Sequence, residues 1–186
     1  MNTLTNIGCA LLIVLPVFAS AAEMPRELKW PDFRGGIYQS GDLYIAGQPL
    51  SEAALQGLQS AEVTTIVNLR TTPEVENKKS TPIAEEVLSK ALGMTYHHLP
   101  SGGKDHPYAT ETVAAFADIL RNTSGKVLLH CNSGVRAAHL WVAYLVTHQG
   151  MDIEDAVRLG RAANFSRVPL EGYLSKPTTY RFTTSK

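Results

Sequence analysis

The segment from Val127 to Leu140, VLLHCNSGVRAAHL, combines residue types that can do chemistry. It begins as a short apolar strand and continues as a helical pattern, with Cys131 at the junction and Arg136 five residues later. The start of a helix exposes unpaired backbone N–H groups and the positive end of the helix dipole. Because these groups attract an anion and favour a thiolate, the spacing predicts a nucleophilic Cys131 beside an oxyanion-binding loop.

The four residues between the cysteine and the arginine would form this loop. A tight turn at Gly134 can direct successive N–H groups into one hollow, and the planar guanidinium of Arg136 matches two oxygens of a tetrahedral anion. We therefore predict that the substrate-binding residues are Asn132, Ser133, Gly134 and Val135.

Two alternatives concern the residues at the end of the strand. We expect His130 to support the loop through its ring nitrogens, but a hydrogen-bonded core histidine is also consistent with its position. Cys131 could likewise be a buried packing residue, because cysteine is among the residue types most often found in protein cores.

Composition limits the classes of ligand. The chain has 186 residues, which is enough for one well-packed domain, and its 17 Lys and Arg residues equal its 17 Asp and Glu residues. This balance provides no broad basic surface, so we expect no nucleic-acid partner. No His, Cys or carboxylate pattern has the spacing of metal ligands, and we expect neither a metal nor an organic cofactor.

The first 22 residues carry no charged side chain, and an apolar run from 7 to 18 is followed by the small residues Ala19, Ser20, Ala21 and Ala22. This pattern predicts a signal peptide over residues 1–22 and a periplasmic or secreted protein. A membrane anchor is the alternative, but residues 7–22 fall short of the roughly 20 that a spanning helix needs. We therefore expect no stable membrane insertion after cleavage. The mature chain would keep Cys131 as its single cysteine.

The rest of the chain alternates between strand-like and helix-like segments. Strands are predicted near residues 37–38, 43–45, 63–69, 94–99 and 127–130, and helices from Ser51, Pro82, Thr110, Arg136 and Asp152. This alternation is typical of an α/β domain with a central parallel or mixed sheet flanked by helices. We predict an irregular lead-in over 23–36, the domain over 37–163 and a polar surface tail over 164–186.

The stretch HCNSGVRAAHLWVAYLV resembles the signature loop and following helix of the cysteine-dependent protein tyrosine and dual-specificity phosphatases. Upstream, LYIAGQPLSEAALQGLQSAEVTTIVNLRTTPEVE is similar to the opening of dual-specificity-like domains, where a V-N-L-R strand precedes an acidic residue, here Glu74. Residues 35–163 resemble a bacterial phosphatase-like domain, that of the beta-lactamase hydrolase-associated family, which is also found fused to hydrolases and sulfide-oxidising enzymes. The resemblance implies a dual-specificity-phosphatase-like fold and, as substrate, a phosphorylated protein or a small phosphoester.

The same resemblance implies a general acid on the loop before the cysteine-bearing strand. In SGGKDHPYAT the matching residue is Asp105, 26 residues ahead of Cys131, and Gly102 and Gly103 would let this loop move. A carboxylic acid there could protonate the leaving oxygen. His106 is the substitute candidate, and a solvated aspartate in a polar loop is the alternative without function.

Two departures from the phosphatase pattern keep other functions open. The phosphatase loop has five residues between Cys and Arg, whereas this chain has four, and Ala137 stands where most such phosphatases carry Ser or Thr. A C-x-x-G-x-R loop is equally similar to that of the rhodaneses, whose cysteine carries a sulfane sulfur. The prediction is a cysteine-dependent phosphatase, with a sulfurtransferase using a Cys131 persulfide and an inactive anion- or partner-binding domain as alternatives.

We expect the mature protein to begin near Ala22 or Glu23, because small residues occupy the positions that a signal peptidase recognises there. Protein recovered from the periplasm or the medium would be sequenced from its N-terminus. An intact Met1 on protein that stays in the cytoplasm would contradict the export prediction.

Overall fold

The computed structural model describes residues 22–166 and 170–180, so the segment predicted as a signal peptide lies outside the described residues except for Ala22. Six strands form one mixed sheet in the order β1-β2-β3-β6-β4-β5. The strands are β1 (Arg26–Leu28), β2 (Ile37–Ser40), β3 (Leu43–Ala46), β4 (Val63–Asn68), β5 (Thr95–His98) and β6 (Lys126–His130). Strands β3, β6, β4 and β5 run parallel, and β1 and β2 add an antiparallel edge. The predicted mixed α/β sheet is thus confirmed.

Seven helices accompany the sheet within the described ranges. They are α1 (Glu52–Ser60), α2 (Thr72–Glu76), α3 (Glu85–Ala91), α4 (Thr110–Arg121), α5 (Val135–Thr147), α6 (Ile153–Arg161) and α7 (Glu171–Leu174). Side-chain caps fix two of the predicted starts: Ser51 accepts a hydrogen bond from the Ala54 N–H, and Asp152 accepts one from the Glu154 N–H. The helix expected from Pro82 begins instead at Glu85, and α4 begins at Thr110 with Ala109 in the cap position.

Alternating side chains of β6 place the sheet between two apolar cores. Leu129 belongs to the apolar core that includes residues of α4, α5, α6 and α7 on one face, whereas Leu128 belongs to the core that includes Leu55 and Leu58 of α1 on the other. Helix α5 is buried along most of its length, which explains why its sequence is apolar on nearly all sides. The core thus holds the helix that follows Cys131 in a fixed position.

The strand register brings the carboxyl ends of three parallel strands together. Ala46 of β3 and Asn68 of β4 are both paired with His130, the last residue of β6. In an α/β sheet this edge is where ligands bind. The residue after His130 therefore emerges between the ends of two neighbouring strands.

Two predictions about the ends of the domain are wrong. Residues 23–36 are not wholly irregular, because β1 pairs with β2 and extends the sheet. The segment 164–186 is not simply a polar surface tail: Phe165, Leu170 and Tyr173 are buried, and α7 packs against α4 and α5. A few scattered apolar residues thus suffice to bury parts of a segment that has no periodic pattern.

None of the helices in residues 22–166 and 170–180 has both the length and the apolar character needed to cross a membrane.

Leu170→Ala tests whether the C-terminal segment belongs to the core. Leu170 is fully buried, so truncation should lower the free energy of unfolding by about 2–5 kcal/mol in a urea titration. Val87→Ala is the control, because Val87 is 67% exposed and its truncation should change the stability by less than about 0.5 kcal/mol. Equal, small effects in both variants would show that the segment is not part of the core.

Candidate active site

Cys131 lies directly after β6, at the carboxyl end of the central strands. Its backbone N–H donates to the Ala46 carbonyl oxygen at 3.3 Å, which extends the pairing with β3 by one residue. The residue is only 1% exposed. The thiol therefore lies at the base of the loop that follows, not on the protein surface.

The carbonyl groups of this loop are turned away from its interior. The Asn132 carbonyl oxygen accepts a hydrogen bond from the Gln48 N–H at 3.0 Å, and the Ser133 carbonyl oxygen accepts one from Asn164 Nδ2 at 2.7 Å. By contrast, the backbone N–H groups of residues 132, 133, 135 and 136 have no acceptor in the part of the chain that the structure describes, whereas that of Gly134 faces Ala46 in the bridge between Gly47 and Ser133. Four backbone donors around the turn thus remain available to an anion, and the binding of substrate by residues 132–135 stays a prediction.

Two glycines allow this loop geometry. Gly134 has a φ of +89°, a left-handed conformation that side chains rarely adopt, and it immediately precedes α5. Gly47 permits close packing from the opposite side, because a Cβ atom there would lie 1.4 Å from the Arg34 carbonyl oxygen and 3.0 Å from that of Asn132. Any larger residue at position 47 would collide with the Arg34 carbonyl group and crowd that of Asn132.

Arg136, in the first turn of α5, is held by Glu74. Its Nη1 and Nη2 atoms donate to the two carboxylate oxygens at 2.9 and 2.6 Å. Nη1 also donates to the carbonyl oxygens of Leu69 and Ser101, at 3.3 and 2.8 Å. One guanidinium thus connects α5 with α2, with the end of β4 and with the loop before α4.

These contacts leave part of Arg136 available. A guanidinium has five N–H donors, and the contacts to Glu74 use the edge formed by Nη1 and Nη2. The Nε–H and the second Nη2–H form the other edge, and neither needs to be shared with Glu74. Burial disfavours the charge, but the hydrogen bond to Glu74 and the nearby Cys131 raise the pKa of Arg136 above its ordinary value. The Nε–Nη2 edge of Arg136 is therefore available for a bidentate contact with an anion.

Glu74 is itself fixed by a capping box at the start of α2. Its Oε2 atom accepts hydrogen bonds from the Thr71 N–H at 2.8 Å and from the Thr71 hydroxyl at 3.0 Å. Burial acts to raise the pKa of Glu74, but the hydrogen bonds from Arg136 and Thr71 outweigh it and hold the pKa below the ordinary range. Glu74 therefore stays ionised and keeps Arg136 in one orientation.

His130 supports the loop from the core side. Its Nε2 atom lies 2.9 Å from Oε1 of Glu85, and both side chains are almost completely buried. Its Nδ1 atom lies 3.3 Å from the Cys131 carbonyl oxygen. His130 thus lies between Glu85 and the backbone of the loop, and its supporting role stays a prediction.

Asp105 lies on the loop between β5 and α4 and is exposed. The Gly102 N–H donates to the His106 carbonyl oxygen at 2.5 Å, which closes a tight turn around residues 103–105. The base of this loop is tied to the site, because the Ser101 carbonyl accepts a hydrogen bond from Arg136. The structure thus attaches the loop to the anion site but does not bring Asp105 into contact with Cys131. Its role as general acid remains a prediction, as does that of His106.

Sequence reasoning missed three residues around the site. Glu85 resembles an ordinary acidic residue in the first turn of a helix, yet it is buried behind His130. Gln48 is fully buried and connects Glu85 to the loop. The hydroxyl of Tyr108 lies near Arg136, with both groups bordering Gly102. None of the three belongs to a periodic pattern or a motif, so only the tertiary structure reveals them. Within the described ranges, no group of three His, Cys, Asp or Glu side chains could hold a metal ion.

Glu74→Gln tests the ion pair that orients Arg136. We expect the variant to lose about 1–2 kcal/mol of unfolding free energy at pH 7, the scale of hydrogen bonds to a charged group at a partly exposed site. The pKa of Glu74 is lowered in the folded protein, so its stabilisation is present above the ordinary carboxyl value of 4.5 and is lost as the pH falls through the folded pKa. The difference in unfolding free energy between the parent and Glu74→Gln should therefore shrink below pH 4.5.

Glu76→Gln is the matched control, because Glu76 is an exposed carboxylate in the same helix with no contact to Arg136 among the described residues. It should leave the stability unchanged from pH 3 to pH 7 to within about 0.5 kcal/mol. A Glu74→Gln variant that matched the parent over this range would show that the ion pair does not stabilise the site.

Comparison with known proteins agrees with this geometry. The family described as beta-lactamase hydrolase-like protein, phosphatase-like domain, matches residues 41–146. Beta-lactamase hydrolase-like proteins from two strains of Xylella fastidiosa are 32% identical over 127 residues, which is 66% of this chain and 28% of each relative. The chain thus spans little more than a quarter of the length of these curated relatives.

Solved structures show the same fold. A putative phosphatase from Neisseria meningitidis has a TM-score of 0.55 at 25% identity, over 72% of this chain and 89% of that one. Kinase-associated phosphatase, crystallised with a serine in place of its catalytic-site cysteine, has a TM-score of 0.60 at 17% identity, over 73% and 83%. The fold is therefore that of the dual-specificity-like phosphatases. Because the matched residues cover more than half of the chain and include both Cys131 and Arg136, the chain belongs to the family of the beta-lactamase hydrolase-like protein, phosphatase-like domain.

Proposed function

We propose that the protein is an exported cysteine-dependent phosphatase that hydrolyses phosphomonoesters through a phosphocysteine intermediate. The observation that carries the proposal is the group of four N–H donors, at residues 132, 133, 135 and 136, which follows Cys131 and has no acceptor among the described residues. The proposal is supported by the dual-specificity-like fold and by the description of the Neisseria relative as a putative phosphatase. No organic cofactor or metal is needed for this reaction.

In the first step, the Cys131 thiolate attacks phosphorus. The S–P bond forms while the P–O bond to the leaving group breaks, and the loop N–H groups and Arg136 stabilise the charge on the three equatorial oxygens. Asp105 donates its proton to the departing oxygen, which leaves as an alcohol or phenol. This step requires the loop that carries Asp105 to close over the site, a movement that the glycines at positions 102 and 103 would permit.

In the second step, water attacks the phosphocysteine. Asp105, now ionised, accepts a proton from the water, the new O–P bond forms, and the S–P bond breaks to regenerate the thiolate. The phosphatases that this chain resembles assist the thiolate with a hydroxyl after the arginine. Ala137 cannot do so, and its methyl group is fully buried. Hydrolysis of the intermediate is therefore the step that we expect to limit turnover.

The substrate in this proposal is a phosphorylated protein or a small phosphoester. The buried position of Cys131 favours a monoester, whose terminal phosphoryl group can enter the loop while the rest of the molecule stays outside. The balance of 17 basic and 17 acidic residues supports the absence of a nucleic-acid partner. Export rests on the uncharged first 22 residues, which would place the enzyme in the periplasm or outside the cell.

Sulfur transfer is the second candidate, and the short loop favours it. With four residues between Cys131 and Arg136, the loop has the length found in rhodaneses. The thiolate would attack the outer sulfur of thiosulfate and expel sulfite, and a thiol acceptor would then take the sulfur from the persulfide. Sulfite leaves as an anion, so this reaction needs no general acid and no role for Asp105.

Asp105→Asn distinguishes the two reactions. An alkyl phosphate expels a poor leaving group, so loss of the general acid should lower kcat/KM by roughly 10²–10⁴-fold. An aryl phosphate with an acidic phenol needs less protonation and should lose less. Thiosulfate turnover, if present, should not change. The measurement is steady-state kinetics of the purified mature protein on all three substrates.

The control variants are His106→Asn and Cys131→Ser. His106→Asn should keep phosphatase activity if Asp105 is the acid, and it should lose activity if the roles are exchanged. Cys131→Ser should abolish both reactions. Two results together would refute the phosphatase proposal. The parent, Asp105→Asn and His106→Asn would have the same phosphatase rates, and sulfur transfer would depend on Cys131.

A further inference from the structure

Tyr108 belongs to the loop before α4 and has no part in the mechanism above. Its ring packs on that of Tyr173 with centroids 5.0 Å apart and planes inclined by 54°. Tyr173 is fully buried, and its hydroxyl forms a 2.7 Å hydrogen bond with the hydroxyl of Ser101. Gly172 also contacts Tyr108, because a Cβ atom on Gly172 would lie 2.6 Å from the Tyr108 Cβ. The C-terminal segment therefore fixes the position of the Tyr108 ring.

The hydroxyl end of Tyr108 points to the anion site. A Cβ atom on Gly102 would lie 3.5 Å from the Tyr108 hydroxyl and 3.3 Å from Nη1 of Arg136, so the two polar groups border the same small space. The electrostatics agree with this placement. Burial raises the pKa of Tyr108, Arg136 acts to lower it, and Cys131 acts to raise it. The phenol thus lies within the field of both Cys131 and Arg136 and stays protonated at neutral pH.

The Tyr108 hydroxyl has no hydrogen-bond partner in the described part of the chain, although the ring is held on two sides. This contrasts with Tyr173, whose hydroxyl is paired with Ser101. Position 137, where the related phosphatases place a hydroxyl, is alanine and fully buried. A fixed and unpaired donor therefore stands beside Arg136 in a site that lacks the usual hydroxyl.

We propose that the Tyr108 hydroxyl donates a hydrogen bond to a non-bridging oxygen of the anion bound above Cys131. Tyr108 is then a substrate-contacting residue that supplements the loop N–H groups and Arg136. The inference rests on the proposed function insofar as that anion is the phosphoryl group of a substrate. The contact itself requires only a tetrahedral oxyanion, so anion binding can be measured separately from turnover.

The test measures how inorganic phosphate protects Cys131 from iodoacetamide in the parent, Tyr108→Phe and Tyr144→Phe. Tyr108→Phe keeps the packed ring and removes one donor, so the half-protecting phosphate concentration should rise about tenfold, the scale of a hydrogen bond to a charged group. Tyr144→Phe is the matched control: its hydroxyl accepts a hydrogen bond from Gln149 Nε2 at 2.6 Å, eight residues along α5 from Arg136. In Tyr144→Phe, phosphate should protect Cys131 at the same concentration as in the parent. The thermal unfolding temperature of Tyr108→Phe should equal that of the parent.

The outcomes separate this inference from the proposed function. Three results would overturn the role of Tyr108. Phosphate could protect Cys131 equally well in the parent and Tyr108→Phe, or protection could weaken equally in both tyrosine variants. The third such result is that phosphate does not protect the parent at all. The two proposals can also fail separately. If the parent hydrolyses no phosphoester but Tyr108→Phe needs tenfold more phosphate to protect Cys131, the anion contact is supported and phosphatase activity is refuted. If the parent is an active phosphatase, KM for an aryl phosphate should also rise in Tyr108→Phe.

Discussion

The ion pair between Arg136 and Glu74 is the interaction on which the rest of the site depends. Helix α2, the end of β4 and the loop before α4 meet at this guanidinium, because it also binds the carbonyl groups of Leu69 and Ser101. A bidentate contact fixes both the position and the plane of the arginine. Since one edge is occupied by Glu74, the other edge is held in a defined direction before any ligand arrives. Such preorganisation means that little reorganisation is needed during the reaction.

A buried polar network gives this arrangement its support. Arg70 is 1% exposed and donates to Oε1 of Gln48 at 2.7 Å and to the Glu74 carbonyl oxygen at 2.6 Å. Gln48 in turn donates to Glu85 at 3.0 Å, and its backbone N–H binds the Asn132 carbonyl. The network thus reaches both Glu74 and the loop of Cys131. Burial lowers the pKa of Arg70, which reflects the cost of placing a charge here, and many hydrogen bonds offset that cost.

Much of the fold and the centre of the site could be predicted from sequence because they depend on local patterns. Alternating strands and helices indicate the mixed sheet, and the spacing of Cys131, Gly134 and Arg136 indicates an anion loop at its edge. The orientation of Arg136 could not be predicted, since it depends on contacts between segments 62 residues apart. The burial of Glu85 and Tyr173 could not be predicted either, because it also depends on contacts between distant segments. By sequence alone, a first-turn glutamate and an isolated tyrosine are common on surfaces.

The central claim is that Cys131 takes a phosphoryl group from the substrate. The direct measurement is intact-protein mass spectrometry of the mature protein, quenched in acid during turnover with an aryl phosphate or with thiosulfate. The phosphatase account predicts a mass increase of one phosphoryl group in the aryl phosphate sample, located on Cys131 by peptide mapping and absent from Cys131→Ser. A Cys131 that gained one sulfur atom from thiosulfate and never a phosphoryl group would contradict the account.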